Sequence, residues 1–196
     1  MKQRRQRKIV YALVCAVACM LPGFAFAHPG HAGGGFWVGW AHPFSGLDHV
    51  VGMVSMGIWA SLASSLRQRA AVLACFLAGM LGGGFIGILG AAPAWVESTL
   101  MASVLATGTL LLWAKPCSIL VRMLAAAGFA AWHGLAHGLE IPDTAAPLRY
   151  VAGFMLATCL LLCLGALMGQ WVRRSTGRTR WAGAGVLGLA LVALGS

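Results

Sequence analysis

The sequence contains very few charged residues, and acidic residues are the rarest of them. Only 9% of its 196 residues are charged, and just four are aspartate or glutamate. A soluble globular domain carries about 25% charged residues, so the composition argues against a soluble enzyme or binding module. Hydrophobic residues make up 60% of the chain, and there are 27 glycines. Such a composition is typical of transmembrane helices that pack closely through small residues.

Two motifs that would indicate other functions are also missing. The six cysteines form no C-x-x-C pair, so we expect no disulfide framework and interpret them as small buried hydrophobic residues. No G-x-x-x-x-G-K-[ST] loop occurs, so the chain does not hydrolyse ATP through a P-loop. Any transport by this protein is therefore predicted to be passive or secondary.

The net charge of +10 reflects membrane topology rather than nucleic-acid binding. The basic residues lie in short clusters between apolar runs and do not form an interleaved basic and aromatic surface. We therefore expect the lipid bilayer, and no nucleic acid, as a partner.

Residues 1–27 have the three parts of a secretory signal peptide. A basic start precedes an apolar stretch that ends at Leu21, and Ala25-Phe26-Ala27 forms an A-x-A cleavage site. Cleavage would leave His28 at the mature N-terminus, outside the cytoplasm. An uncleaved first helix is the alternative.

The mature region, 28–196, is predicted to be one all-α integral membrane domain, a helical bundle of about six transmembrane helices. Its apolar runs cover about 36–63, 70–90, 94–114, 117–140, 148–172 and 181–196, and roughly 20 residues cross a bilayer. The first run is long and is interrupted at Pro43 and Gly46. We expect a short helical entry there, an irregular turn, and then a helix from Ser45 or Gly46, with Ser45 and Asp48 at the spacing of a capping box.

The charges also predict an orientation. If the mature N-terminus lies outside, the three inner loops hold eight of the nine basic residues of the mature chain, and only Arg149 lies outside. This strong positive-inside pattern predicts a multi-pass protein of the bacterial inner membrane with both termini in the periplasm. The outer half or outer loops then contain all four acids and four of the histidines: Asp48, Glu97, Glu140, Asp143, His28, His31, His42 and His49.

Ionisable residues inside the first apolar run form one half of a candidate site. Such groups are costly in hydrocarbon, so their presence indicates a function. His42, Asp48 and His49 follow the pattern H-x5-D-H, and the turn between them can bring His42 back towards the other two. Histidine and aspartate together are ligands for a borderline divalent metal. The alternative is structural: Asp48 caps the helix and the histidines bond to backbone.

The fourth run supplies the other half. His133, His137 and Glu140 are spaced so that their side chains share one helix face. This pattern favours a metal site or a proton relay over two structural histidines bonded to carbonyl groups. At the mature N-terminus, His28 and His31 with the free amino group form a weak outer metal-collecting site or, equally, an ordinary terminus.

The sequence resembles the HupE/UreJ family of bacterial nickel permeases. The resemblance rests on the stretches 41–49, 53–60, 133–140 and 153–158, and on the signal peptide that precedes His28-Pro-Gly-His31. It implies uptake of Ni²⁺, sometimes Co²⁺, to supply hydrogenase or urease. Apart from the resemblance, Zn²⁺ is a further alternative for the bound or transported ion. The resemblance also implies metal-binding roles for the residues that match the motifs of the family: His42, Asp48, His49, His133, His137 and Glu140, with Glu97 matching a frequent acid.

One departure from the family leaves the identity of the metal open. Cys159 and Cys163 occupy the part of the fifth run where family members carry a histidine, so a softer thiolate ligand or two packing cysteines are both open. Two other functions also remain open. An intramembrane metal-dependent hydrolase would use the zincin spacing of His133 and His137, although Gly134 replaces the glutamate of H-E-x-x-H. A metal-binding accessory protein would bind the ion without transporting it.

Overall fold

The structure, a computed structural model, describes residues 35–90, 96–113, 115–141 and 146–194. Within these ranges the side chains of residues 96–98 and 193–194 are not described. The predicted signal peptide, residues 1–27, and the candidate ligands His28 and His31 lie outside the described residues, as does the side chain of Glu97.

The described residues are mainly helical and contain no strand, which confirms the all-α fold class. A 3-10 turn, His42–Phe44, connects the first two helices. The helices are α1 (Gly35–Ala41), α2 (Leu47–Ser61), α3 (Leu66–Ile88), α4 (Val96–Trp113), α5 (Ile119–Leu139), α6 (Pro147–Val172) and α7 (Thr176–Leu194).

Three of these helices are long and apolar enough to cross a membrane: α3, α5 and α6. In α4 the residues whose side chains are described, Thr99–Trp113, form a shorter apolar stretch. The 15 residues of α2 span only about 22 Å, less than the roughly 30 Å hydrocarbon core. The fold is thus a membrane helical bundle, and the number of six spans stays a prediction.

The interrupted first run has the expected sequence of a helical entry, a turn and a second helix. The predicted capping box is wrong. Gly46, in an extended conformation, is the N-cap residue of α2 and forms no side-chain cap. The Ser45 hydroxyl instead donates to the carbonyl of His42 at 2.6 Å, because the 3-10 turn places that carbonyl within its reach. Asp48 does lie in the first turn of α2, where the helix dipole favours an acid.

Glycines set the closest helix contacts. A Cβ at Gly79, Gly83 or Gly87 of α3 would collide with the backbone of α5, so this stripe is a small-residue packing face between the two helices. Gly82 faces open space. In the same way Gly57 of α2 lies directly against the backbone of α6. The helices that carry the candidate ligands, α2 and α5, are therefore each held against a neighbour at backbone contact.

Short connections make successive helices antiparallel and give the bundle two distinct ends. One end, which we call the histidine end, contains the 3-10 turn, the start of α2, the end of α5 and the start of α6. The loops 62–65, 115–118 and 173–175 meet at the other, which we call the basic end. Between them lies a buried apolar core that includes Met53, Phe76, Val104 and Leu161.

Candidate metal centre

Three ligand atoms from different parts of the chain form a compact triangle at the histidine end. Nε2 of His42 lies 3.0 Å from Nδ1 of His137. Oε2 of Glu140 lies 3.2 Å from Nε2 of His42 and 3.1 Å from Nδ1 of His137. The 3-10 turn positions His42, whereas the last turn of α5 and the residue after it position the other two. The break at Pro43 and Gly46 therefore brings the two motifs together.

The size of this triangle suits a first-row divalent ion. The point equidistant from three atoms separated by 3.0–3.2 Å lies about 1.8 Å from each, so an ion slightly above their plane reaches the roughly 2.0–2.2 Å typical of imidazole and carboxylate ligands to zinc. No rearrangement of these side chains is needed to bring the three atoms to bonding distance.

His49 extends the triangle. One ligand atom each from His42, His49 and His137 lies within 4.8 Å of the others, and the His49 ring is 4.6 Å from the His137 ring. Oδ1 of Asp48 lies 2.8 Å from Nδ1 of His49. An acid in this position orients an imidazole and raises its basicity, so the geometry makes Asp48 a partner of His49 in this group.

His133 lies one turn deeper along α5, with its ring 6.4 Å from those of His49 and His137. Its Nε2 is 2.9 Å from Oγ of Ser103, and that Oγ is also 2.6 Å from the Leu100 carbonyl oxygen. A hydroxyl has one hydrogen. If it donates to the carbonyl, Nε2–H of His133 must donate to the hydroxyl, and Nδ1 of His133 then carries a lone pair.

That lone pair has no partner among the described residues. Nδ1 of His133 and Nε2 of His137 are both buried and make no hydrogen bond there. The same holds for the Tyr150 hydroxyl and the Thr158 hydroxyl on α6. Buried polar atoms are nearly always hydrogen-bonded, so two unpaired imidazole nitrogens within one histidine cluster indicate a site built to receive a polar or charged guest.

The charge of the cluster favours a cation. Glu140 follows the last residue of α5 and is half-exposed. Hydrogen bonds with His137 and His42 hold the pKa of its carboxyl well below the usual range. The carboxyl is therefore ionised, and the site combines a carboxylate with imidazoles that bind metal in their neutral form.

Comparison with known proteins assigns the family. A family described as HupE / UreJ protein matches residues 16–193. The chain belongs to the HupE/UreJ family. It is similar to Protein HupE of Rhizobium leguminosarum bv. viciae, with 39% identity over 150 residues that cover 76% of this chain and 77% of the relative. No solved structure matches the chain significantly.

In this HupE/UreJ protein the structure brings together six of the residues singled out from the sequence: His42, Asp48, His49, His133, His137 and Glu140. Glu97 lies in the first turn of α4, but its side chain is not described. Cys159 and Cys163 are free thiols, the second of them exposed, and neither belongs to the group of converging ligand atoms.

The residues that surround the ligands were not predicted from the sequence. Phe154 of α6 lies 4.8 Å from the His137 ring, and Phe129 stacks on His133 at 4.3 Å. Ser103 fixes the orientation of His133. These residues belong to ordinary apolar or small-residue helix patterns, so no spacing marks them. Only their position next to an ionisable group in the folded protein does.

Proposed function

We propose that this HupE/UreJ protein transports a divalent transition-metal ion, Ni²⁺ first and Co²⁺ second, across the bacterial inner membrane into the cytoplasm. Its family comprises transport and accessory proteins, which supports a role related to nickel or cobalt transport. The observation that carries the proposal is the triangle of His42, His137 and Glu140 in a bundle of apolar helices. The imported ion would supply hydrogenase or urease.

The donor set supports an ion of borderline softness. Imidazole nitrogen suits nickel, cobalt and zinc, whereas thiolates select softer metals. The converging ligand atoms are nitrogens and oxygens, and Cys163 is exposed away from them. Donor chemistry alone therefore leaves Zn²⁺ as an alternative, and the family membership favours nickel and cobalt over it.

The arrangement along α5 suggests the first steps of the path. An ion that loses water at the half-exposed Glu140 would bind His42 and His137, with His49 close by. His133, one turn deeper, offers a lone pair that Ser103 keeps available. Beyond His133 the helices pack through apolar side chains such as Met53 and Val104. Release at the far side then requires a movement of α2 and α5 relative to each other.

The membrane potential can drive this import if the histidine end faces outwards. An inside-negative potential contributes about 2.3 kcal/mol per charge per 100 mV. For a divalent cation that amounts to about 4.6 kcal/mol, or more than a thousandfold in favour of entry. The basic end would then face the cytoplasm, as the positive-inside rule requires.

Uptake of ⁶³Ni by cells tests the proposal. Cells that make the wild type or Gly82→Ala, which meets no neighbour, should accumulate ⁶³Ni well above empty cells. Cells that make Asp48→Asn or His133→Ala at equal protein level should not. Equal uptake in all strains, including empty cells, would contradict the permease function. Metal binding by the purified protein without uptake into proteoliposomes would favour an accessory protein, and metal-dependent cleavage of a peptide without uptake would favour a hydrolase.

A further inference from the structure

The basic end contains a cavity of about 440 Å³, a volume within the range of small-ligand sites. It lies where the three loops of that end meet, far from the histidines. Residues from these three loops and from the first turns of the helices that follow them line it, among them Gln68, Lys115, Ile119, Arg122, Arg173 and Thr176.

The charges around this cavity are all positive. Lys115, Arg122 and Arg173 contribute three cations, and no aspartate or glutamate of the described ranges lines it. The two acids whose side chains are described, Asp48 and Glu140, belong to the histidine end. The cavity would therefore repel a divalent metal ion and attract an anion, so we do not place it on the path of the metal.

Arg122 carries a buried positive charge, and a buried charge without an anionic partner is energetically costly. Only 5% of the residue is exposed. One guanidinium N–H donates to the carbonyl of Trp59 at 3.1 Å, and the group lies 5.0 Å from the centre of the Trp59 ring. A guanidinium has five N–H donors, and no carboxylate of the described residues pairs with it. Buried charges are normally paired, so this arginine indicates a missing anion.

The N-termini of three helices add their partial positive charge to that of the three basic side chains. Helices α3, α5 and α7 all begin at the basic end, and each contributes a first-turn residue to the lining: Gln68, Arg122 and Thr179. The N-terminus of a helix presents free N–H groups and a partial positive charge, which favour phosphate in particular. Three such ends and three basic side chains therefore act on the same space.

Membrane topology explains only part of this arrangement. The positive-inside rule accounts for exposed basic residues in or next to the loops of this end, such as Arg67 and Arg180 near the starts of α3 and α7. The rule does not require a buried arginine in the first turn of α5, and it does not require a cavity between the basic loops. We propose that the cavity binds a phosphate group, carried either by the head group of an anionic lipid or by a soluble phosphate. The bound phosphate would link α3, α5 and the α6–α7 connection.

Thermal unfolding of the purified full chain in a neutral detergent tests this site. The unfolding temperature is followed by tryptophan fluorescence while short-chain phosphatidylglycerol, inorganic phosphate or chloride is titrated at constant ionic strength. We expect a saturable rise with at least one phosphate probe and none with chloride. A rise with phosphatidylglycerol alone identifies a lipid head group, and a rise with inorganic phosphate identifies a pocket open to soluble phosphates.

Two double variants separate the cavity from general surface charge. Lys115→Gln/Arg173→Gln should raise the half-saturating concentration about tenfold or more, because each change replaces a charged hydrogen-bond donor with a neutral one. Arg67→Gln/Arg180→Gln removes the same charge from exposed positions that do not line the cavity and should bind as the wild type does. No saturable response to either phosphate probe, or equal weakening in both variants, would overturn the proposal.

Discussion

The two ends of helix α5 both carry buried ionisable groups, but the charges of these groups differ. Both ends bury ionisable groups in an apolar helix that is held against α3 by glycines. At one end His133 and His137 offer neutral nitrogens beside the carboxylate of Glu140. At the other, about 22 Å away along the helix axis, Arg122 presents a cation without a carboxylate. The first arrangement favours a cation as guest and the second favours an anion.

This contrast shows why net charge alone is a poor guide to what the protein binds. The chain carries +10, yet its most elaborate polar cluster is suited to a positively charged ion. The few acids are concentrated where ligand nitrogens are available, and the cations are concentrated elsewhere. Variants at each end should therefore affect binding of one ion and leave the other unchanged.

Loss of His137 should have the largest effect on metal binding. Its Nδ1 contacts both other corners of the triangle, so His137→Ala removes a direct ligand. Loss of an outer partner of a metal ligand already costs ten- to hundredfold, so we expect at least about a hundredfold loss of Ni²⁺ affinity here. Calorimetric titration of the purified protein measures this. Arg67→Gln at the basic end should bind as the wild type does, and equal affinity in all three proteins would remove His137 from the site.

Replacement of Glu140 by glutamine should come next. Glu140→Gln preserves the shape of the side chain but removes the charge that lies 3.1–3.2 Å from two imidazole nitrogens. We expect Ni²⁺ affinity to fall about ten- to hundredfold, with phosphate binding at the basic end unchanged. An unchanged Ni²⁺ titration would mean that the carboxylate only orients His42 and His137.

Acid should weaken the histidine end and spare the basic end. Imidazole nitrogens bind a metal only in their neutral form, so protons compete with the metal and acid should lower the Ni²⁺ affinity. Glu140 stays ionised because its pKa is held below the usual range. Titrations from pH 7.5 to pH 5.5 should show that the Ni²⁺ affinity falls as the pH falls. Phosphate binding at the basic end, measured with chloride as the control anion, should persist because lysine and arginine stay charged. Constant Ni²⁺ affinity over this range would argue against imidazole ligands.

A methyl group at Gly46 should disturb the histidine end by sterics alone. A Cβ there would collide with Oδ1 of Asp48 and come too close to Nδ1 of His49. We expect Gly46→Ala to fold and to lose about tenfold in Ni²⁺ affinity. Gly82→Ala is the matched control, because a Cβ at that position meets nothing within 4 Å. If both variants bind alike, the Asp48–His49 contact does not contribute to the site.

Ser103 should give the smallest effect. Ser103→Ala leaves His133 in place but removes the hydroxyl that selects its tautomer, so we expect about a threefold loss of Ni²⁺ affinity, the scale of one hydrogen bond. Ser103→Thr should restore it. Ser55→Ala is the matched control, because Ser55 makes the same bond to a carbonyl three residues earlier. A loss of equal size in Ser55→Ala would indicate a general effect on packing.

The sequence predicted the helices well because hydropathy is a local signal. The bend before α2 followed from Pro43 and Gly46, and the shared face of His133, His137 and Glu140 followed from helix periodicity. The capping role of Ser45 failed because its hydroxyl has a nearer acceptor in the turn. No local rule could show that His42 meets Glu140 rather than Asp48, because that contact depends on how α2 and α5 pack.

The same limit applies to the basic end. The loop clusters were visible as a topology signal, but a cavity shared by Lys115, Arg122 and Arg173 depends on three connections meeting in space. Ser103 likewise has no motif of its own, since a serine in an apolar helix usually bonds to its own backbone. Its second contact with His133 is a tertiary feature.

X-ray absorption spectroscopy of the nickel-loaded protein reports directly which atoms bind the ion. We expect a first shell of nitrogen and oxygen only, at about 2.0–2.2 Å, with the scattering pattern of at least two imidazoles. One imidazole should disappear in His137→Ala under conditions where some nickel still binds. A sulfur neighbour at about 2.3 Å, or a shell that is unchanged in the variant, would show that the ion binds elsewhere and would contradict the site described here.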